Sequence, residues 1–111
     1  MIEHTLHLPI AADHPAYAGH FPGRPILPGV VLLDAALHAL TMRHGMAGKT
    51  NRAQFKSAKF LNPVRPGETL TLHYAESPTG GFRFEIRCLD GDGRERGVAS
   101  GSVVFSAATA A

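Results

Sequence analysis

Five strand-like stretches, three of them with clear alternation of apolar and polar residues, and one longer stretch that is apolar almost throughout predict an α+β domain. Its architecture is an antiparallel sheet of about five strands wrapped around one long buried helix. Alternation marks a strand with one face on a core and the other in water, and the short turn-forming links between the later strands make neighbours antiparallel. No internal repeat or low-complexity linker divides the chain, so residues 1–106 read as a single domain with a disordered small-residue tail at 107–111.

The first strand spans residues 2–10, with Ile2, Leu6, Leu8 and Ile10 on one side and Glu3, Thr5 and His7 on the other. His4 falls on the apolar side and His7 on the polar side; neither is assigned a role. Residues 11–18 are irregular, bending at Asp13-His14-Pro15. The apolar segment from Val30 to Arg43 is the helix, with Gly45 as its left-handed stop. Apolar side chains lie on most of its sides, which predicts burial all round. A polar loop, 45–51, leads to a strand at 52–61 that sets Phe55, Phe60 and Leu61 between Arg52, Lys56 and Lys59. Pro63 and Pro66-Gly67 bend the chain into the next strand, where Leu70, Leu72 and Tyr74 alternate with Thr69, Thr71 and His73. Pro78-Thr79-Gly80-Gly81 is a turn. Phe82, Phe84, Ile86 and Cys88 then oppose Arg83, Glu85 and Arg87, and Asp90-Gly91-Asp92-Gly93 makes a hairpin connection. The last strand, Gly97 to Ser106, puts Ala99, Gly101, Val103 and Phe105 on one face. A sheet of this size leaves an edge strand unpaired, and dimerisation covers it.

Composition narrows the function classes. At 111 residues and 44% hydrophobic, the chain can build one core and hold one site. A net charge of +2 is too mild to argue for nucleic acid. One cysteine excludes an intrachain disulfide and leaves no pair to begin a zinc site, and the alternation around Cys88 makes it a core residue. The N-terminus lacks a basic start followed by an apolar core, and the longest apolar run is broken at Asp34, so the expected location is cytoplasmic, with no membrane span.

Chemistry concentrates between His20 and Asp34. Residues 19–29 hold three prolines and three glycines, so this loop is stiff and can fix a histidine. At Pro28-Gly29 it passes into the helix, whose first N–H groups lack partners and carry the positive end of the dipole. That end is suited to a carbonyl oxygen becoming negative. Asp34 lies about 7.5 Å further along the axis, at ~1.5 Å per residue, within an apolar segment where a carboxylate needs a partner, a proton or a task. Taken singly, His20 can be a loop histidine held by backbone, and Asp34 can be paired with His38 one turn later. Taken together, a base, an acid and donor N–H groups converge on one small reacting group.

The run GHFPGxPxxPG, followed by an acid fourteen residues after the histidine, resembles the 3-hydroxyacyl-[acyl carrier protein] dehydratases of the FabZ/FabA type. His20, Phe21, Pro22, Gly23, Pro25, Pro28, Gly29 and Asp34 fall in the family's register. A second stretch, Lys59-Phe60-Leu61-Asn62-Pro63-Val64-Arg65-Pro66-Gly67, resembles the family's "KF…PV.PG" lead into a long strand. The resemblance covers roughly residues 13–105. It implies the hot-dog fold and a homodimer, or a higher oligomer of dimers, in which His20 of one protomer faces Asp34 of the other.

The resemblance also implies roles. His20 is the base that removes the proton beside the thioester carbonyl, and Asp34 handles the leaving hydroxyl directly or through water. The N–H of Gly29 binds the thioester oxygen, the carbonyl of Ile26 fixes the imidazole tautomer, and Phe21 and Pro28 complete the substrate-binding loop. No cofactor and no metal is required. His38 stands where the family usually has glutamine, making it a modulator of Asp34, and a neutral His38 can replace the glutamine hydrogen bond. Val30 after Gly29 matches the branch that dehydrates without isomerising. The helical segment and first strand of longer members are not found ahead of the motif, which aligns the chain with short forms serving polyene or modified-lipid pathways. The implied partner is an acyl carrier protein, whose acidic surface suits Arg24, Arg65 and Lys59, together with Lys56 and Arg52. Two other functions remain open: a hot-dog thioesterase using the same helix start, and a non-catalytic acyl-binding or scaffold subunit.

Overall fold

The computed structural model describes residues 3–8, 10, 27–44, 53–78 and 80–105. Within them the chain forms β1 (Glu3–Leu8), α1 (Gly29–Arg43), β2 (Ala53–Phe60), β3 (Thr69–Glu76), β4 (Phe82–Leu89) and β5 (Glu95–Phe105). The strands make one antiparallel sheet in the order β1-β3-β4-β5-β2, so the strand just after the helix lies at one edge and the first strand at the other.

The alternation in the sequence becomes the two faces of this sheet. Leu70, Leu72 and Tyr74 of β3 and Ile86 and Cys88 of β4 are buried, and with Leu32, Ala36 and Leu40 of α1 they form one core cluster. Burying such side chains is worth roughly 1.5–3 kcal/mol each, which makes the sheet-to-helix layer the main stabilising contact. The outward residues are polar: Glu85, Arg87 and Glu95 form linked ion pairs on that face. His4, on the inward side, stacks on the Tyr74 ring, whose hydroxyl lies 3.0 Å from His44 Nε2.

Three details depart from the sequence reading. First, a helix buried on all sides is not what forms. Leu32, Ala36, Leu40 and Thr41 are buried, yet Val30 is 68% and Met42 61% exposed, with Asp34 and His38 exposed between them at i, i+4 spacing. Five strands cover one side of a helix, so in the single chain the other side stays open. Second, β5 begins at Glu95, two residues early. Asp90 Oδ1 accepts from the Asp92 and Arg94 N–H groups, and Gly93 turns at φ 80°, so the hairpin closes tightly and pairing starts at Leu89 with Glu95. Third, a register shift at Ile86/Arg87 places Val98 outside the one-to-one pairing, and both Val98 and Ala99 are buried.

The helix ends at His44, whose N–H donates to the Leu40 carbonyl at 3.1 Å. The expected stop at Gly45, the bend at 13–15 and the tail lie outside the described residues. No described helix is long and apolar enough to cross a membrane. The described residues make an antiparallel sheet of five strands with one helix on its inner face, which is the hot-dog fold, as the sequence implied.

Candidate active site

The start of α1 is held from outside the helix. Leu27, buried at 3% exposure, donates its N–H to the Val64 carbonyl at 3.0 Å. Pro28 follows as the N-cap in an extended conformation, and its carbonyl accepts from Val31 N at 3.0 Å and Leu32 N at 3.4 Å. Among the described residues the amides of Gly29 and Val30 have no acceptor, and the first turn carries no acid. These donors and the positive end of the helix dipole can receive a developing negative charge. The Phe60 ring lies so close that a Cβ on Gly29 would come within 2.7 Å of it, which leaves glycine as the residue that fits without moving the ring. Gly29, Val30, Phe60, Asn62 and Pro63 border a groove of about 530 Å³.

A second groove, of about 500 Å³, runs between β1 and α1. Asp34 and His38 line it, with His7 from β1 and Arg43 near the end of the helix, over a floor that includes Leu6 and Leu8. Helical spacing of four puts Asp34 and His38 on one face, one turn apart. They share the groove without a hydrogen bond to each other, and among the described residues no side chain pairs with the Asp34 carboxylate. The structural pairing of Asp34 with His38 that the sequence allowed is therefore not formed. Val30 at the first groove and Asp34, His38 and Met42 along the second form one exposed stripe on α1, with Gly29 half-buried beside Phe60 at the head of the helix.

Of the other sequence-derived candidates, Pro28 is buried at the cap, while Arg65 and Lys59 are exposed on either side of the segment 60–63 that borders the first groove. His20, Phe21, Arg24 and Ile26 lie outside the described residues. Cys88 is 1% exposed, and burial pushes its thiol above the ordinary value, with Glu68 adding to the rise and Arg96 opposing it; it is a core residue, not a nucleophile. Two neighbours escaped the sequence reading. His7 looks like any polar strand residue until the sheet order puts its strand at the edge beside α1. Phe60 looks like a core aromatic until the fold lays it on Gly29.

The chain is 39% identical over 70 residues to the 3-hydroxyacyl-[acyl-carrier-protein] dehydratase FabZ of Chlamydia trachomatis, a match covering 57% of this chain and 46% of that protein. It is 32% identical over 105 residues to the FabZ of Gluconacetobacter diazotrophicus, covering 88% of this chain and 63% of that protein. The chain thus spans about half to two thirds of the length of these curated relatives. A crystal structure of an uncharacterized protein from Erwinia carotovora subsp. atroseptica superposes with a TM-score of 0.68 at 30% identity, over 94% of this chain and 81% of that one. The dehydratase heterocomplex ApeI:P from Xenorhabdus doucetiae shares the fold, with a TM-score of 0.74 at 22% identity over 95% of this chain and 88% of that one. The family model described as ApeI dehydratase matches residues 2–102, nearly the whole sheet and helix, and the chain belongs to this ApeI-like family.

Proposed function

We propose that the protein removes water from a 3-hydroxyacyl thioester carried on acyl carrier protein, giving the trans-2-enoyl thioester, in fatty-acid or specialised lipid or polyene biosynthesis. The observation that carries this reading is α1 itself, with an amide at its head, Gly29, and a carboxylate on its exposed stripe, Asp34, that have no partner among the described residues and lie about 7.5 Å apart along the axis, at ~1.5 Å per residue. Membership of the ApeI-like family and the likeness to FabZ support the same chemistry.

The reaction asks three things of the site. A base takes the proton from the carbon beside the carbonyl, and the electron pair left behind spreads onto the thioester oxygen. That oxygen needs donors, and the N–H of Gly29 supplies one; such a donor is worth roughly 3 kcal/mol in a transition state. As the double bond forms, the 3-hydroxyl leaves with a proton from an acid, and water is released. His20 takes the role of base, with its tautomer fixed by the Ile26 carbonyl, and Asp34 that of acid. Phe21 and Pro28 shape the loop that holds the acyl group. His38, one turn from Asp34 in the same groove, adjusts the polarity around the acid.

The assembled enzyme in this reading is a homodimer in which His20 of one protomer meets Asp34 of its partner. Two features support it: the open apolar and polar stripe on α1, and the outer edge of β2, which has no strand beside it among the described residues. The carrier approaches beside the first groove, where Lys59 and Arg65 are exposed.

The test follows the ultraviolet absorbance of the conjugated enoyl thioester, starting from a 3-hydroxyacyl thioester and, in reverse, from its 2-enoyl product. Wild type turns over, and His20→Ala and Asp34→Asn each lose about 10²- to 10⁴-fold with fold and assembly retained. Release of free thiol instead of a change in enoyl absorbance would identify a thioesterase and refute the proposal. Binding without turnover in either direction would refute it in favour of an acyl-binding subunit.

A further inference from the structure

The inference rests on the proposed reaction and concerns two residues in neither groove. Arg96 stands on β5 opposite Cys88 of β4, at a position whose neighbour across the ladder faces the core. An arginine there is costly unless it is paired. Its Nη2 lies 2.9 Å from the Glu68 carboxylate and 2.9 Å from the Pro63 carbonyl, with the two side chains only 26% and 13% exposed. Glu68 in turn accepts the Arg65 N–H at 2.6 Å and donates its own N–H to the Arg65 carbonyl at 3.3 Å, closing the turn that follows Val64. Upstream, the same loop is tied to β5 by Leu61 N to Val98 O at 2.8 Å and by Asn62 Nδ2 to Gly97 O at 2.7 Å.

Between these anchors sits Val64, fully buried, and its carbonyl holds the Leu27 N–H. Leu27 is two residues before Gly29. Among the described residues that hydrogen bond ties the loop to the helix start, and the Arg96–Glu68 pair fixes the loop from β5. We infer that Glu68 and Arg96 are positioning residues, which set the Gly29 amide at the head of α1 through the Val64–Leu27 hydrogen bond. A surface ion pair would not do this, but a half-buried pair that also holds two backbone groups leaves the loop one arrangement. Displacing a donor by about 1 Å from a reacting oxygen can cost on the order of 10²-fold in rate, so modest slack in this loop is enough to matter.

The test compares wild type, Glu68→Ala, Arg96→Met and Glu68→Gln, with kinetics and residue-resolved amide hydrogen exchange under native conditions. Positioning predicts that Glu68→Ala and Arg96→Met lower kcat about 10- to 100-fold while KM moves less than about threefold. Exchange at Leu27 speeds up about tenfold or more while Leu72 and Ile86 in the sheet keep their protection, and the Gly29 amide resonance shifts. Glu68→Gln keeps the acceptor for Arg65 and Arg96 and restores most of kcat. Unchanged exchange at Leu27, faster exchange at Leu72 and Ile86 alike, or unchanged kcat despite a loosened Leu27 would each overturn the inference. If wild type itself has no turnover, the dehydratase reading fails, and the Leu27 exchange and Gly29 resonance alone decide whether the brace exists.

Discussion

Burial decides what single side chains do here. Cys88 sits in the core with its thiol raised above the ordinary value of 9.0, first by loss of water, then by Glu68 and Asp90, and against the pull of Arg96. The native state thus holds the thiol proton more tightly than the unfolded chain does. Its contribution to stability is complete below pH 9.0 and is lost as pH rises through the higher native value. Urea midpoints should therefore fall between pH 8 and pH 10 in wild type, and fall less in Cys88→Ala. Alkylation of Cys88 should be slow in native protein and fast in urea. Asp34 shows the opposite situation, a carboxylate placed in the open on a face of the helix that the sheet does not cover. The sequence singled it out because it interrupts an apolar run. It could not tell that Asp34 looks toward a groove rather than into the core, since an interruption has the same appearance in both places.

At the scale of elements, two glycines separate tight from tolerant packing. A Cβ on Gly101 would strike the Ser57 backbone carbonyl, where β2 shifts register between Phe55 and Ser57, and would press on the Phe84 ring. Backbone cannot turn aside, so Gly101→Ala should cost about 1–3 kcal/mol in urea unfolding. A Cβ on Gly29 meets only the far end of Phe60, which is 50% exposed and can swing out. Gly29→Ala should thus cost much less stability than Gly101→Ala, and near-equal losses would show that Phe60 is held as firmly as a strand. The strands themselves were legible in the sequence because period-two alternation is a local signal. The shifts at Phe55/Ser57 and Ile86/Arg87 were not, because a bulge is set by which strand lies alongside.

For the whole molecule, a body of 48 × 30 × 22 Å is one sheet and one helix thick, with its helix open to one side. The exposed Val30 and Met42 cost stability in water and gain it when covered. In the dimer proposed above, these residues and the outer edge of β2 belong to the joined surface. Val30→Glu combined with Met42→Glu should then halve the mass measured by sedimentation and abolish turnover. A wild type that sediments as a single chain at assay concentration would remove the shared site.

The amino-acid order determined the elements, the inward faces of the strands and the stretch from His20 to Asp34, since each follows from residues near one another along the chain. The tertiary structure decided which edge each strand occupies, which side of the helix stays open, that Phe60 lies on Gly29, and that Arg96 reaches Glu68 to hold the loop beneath Leu27. Those contacts join residues tens of positions apart. Only the folded sheet brings them within bonding distance, and no local pattern of propensity or periodicity encodes which of them will meet.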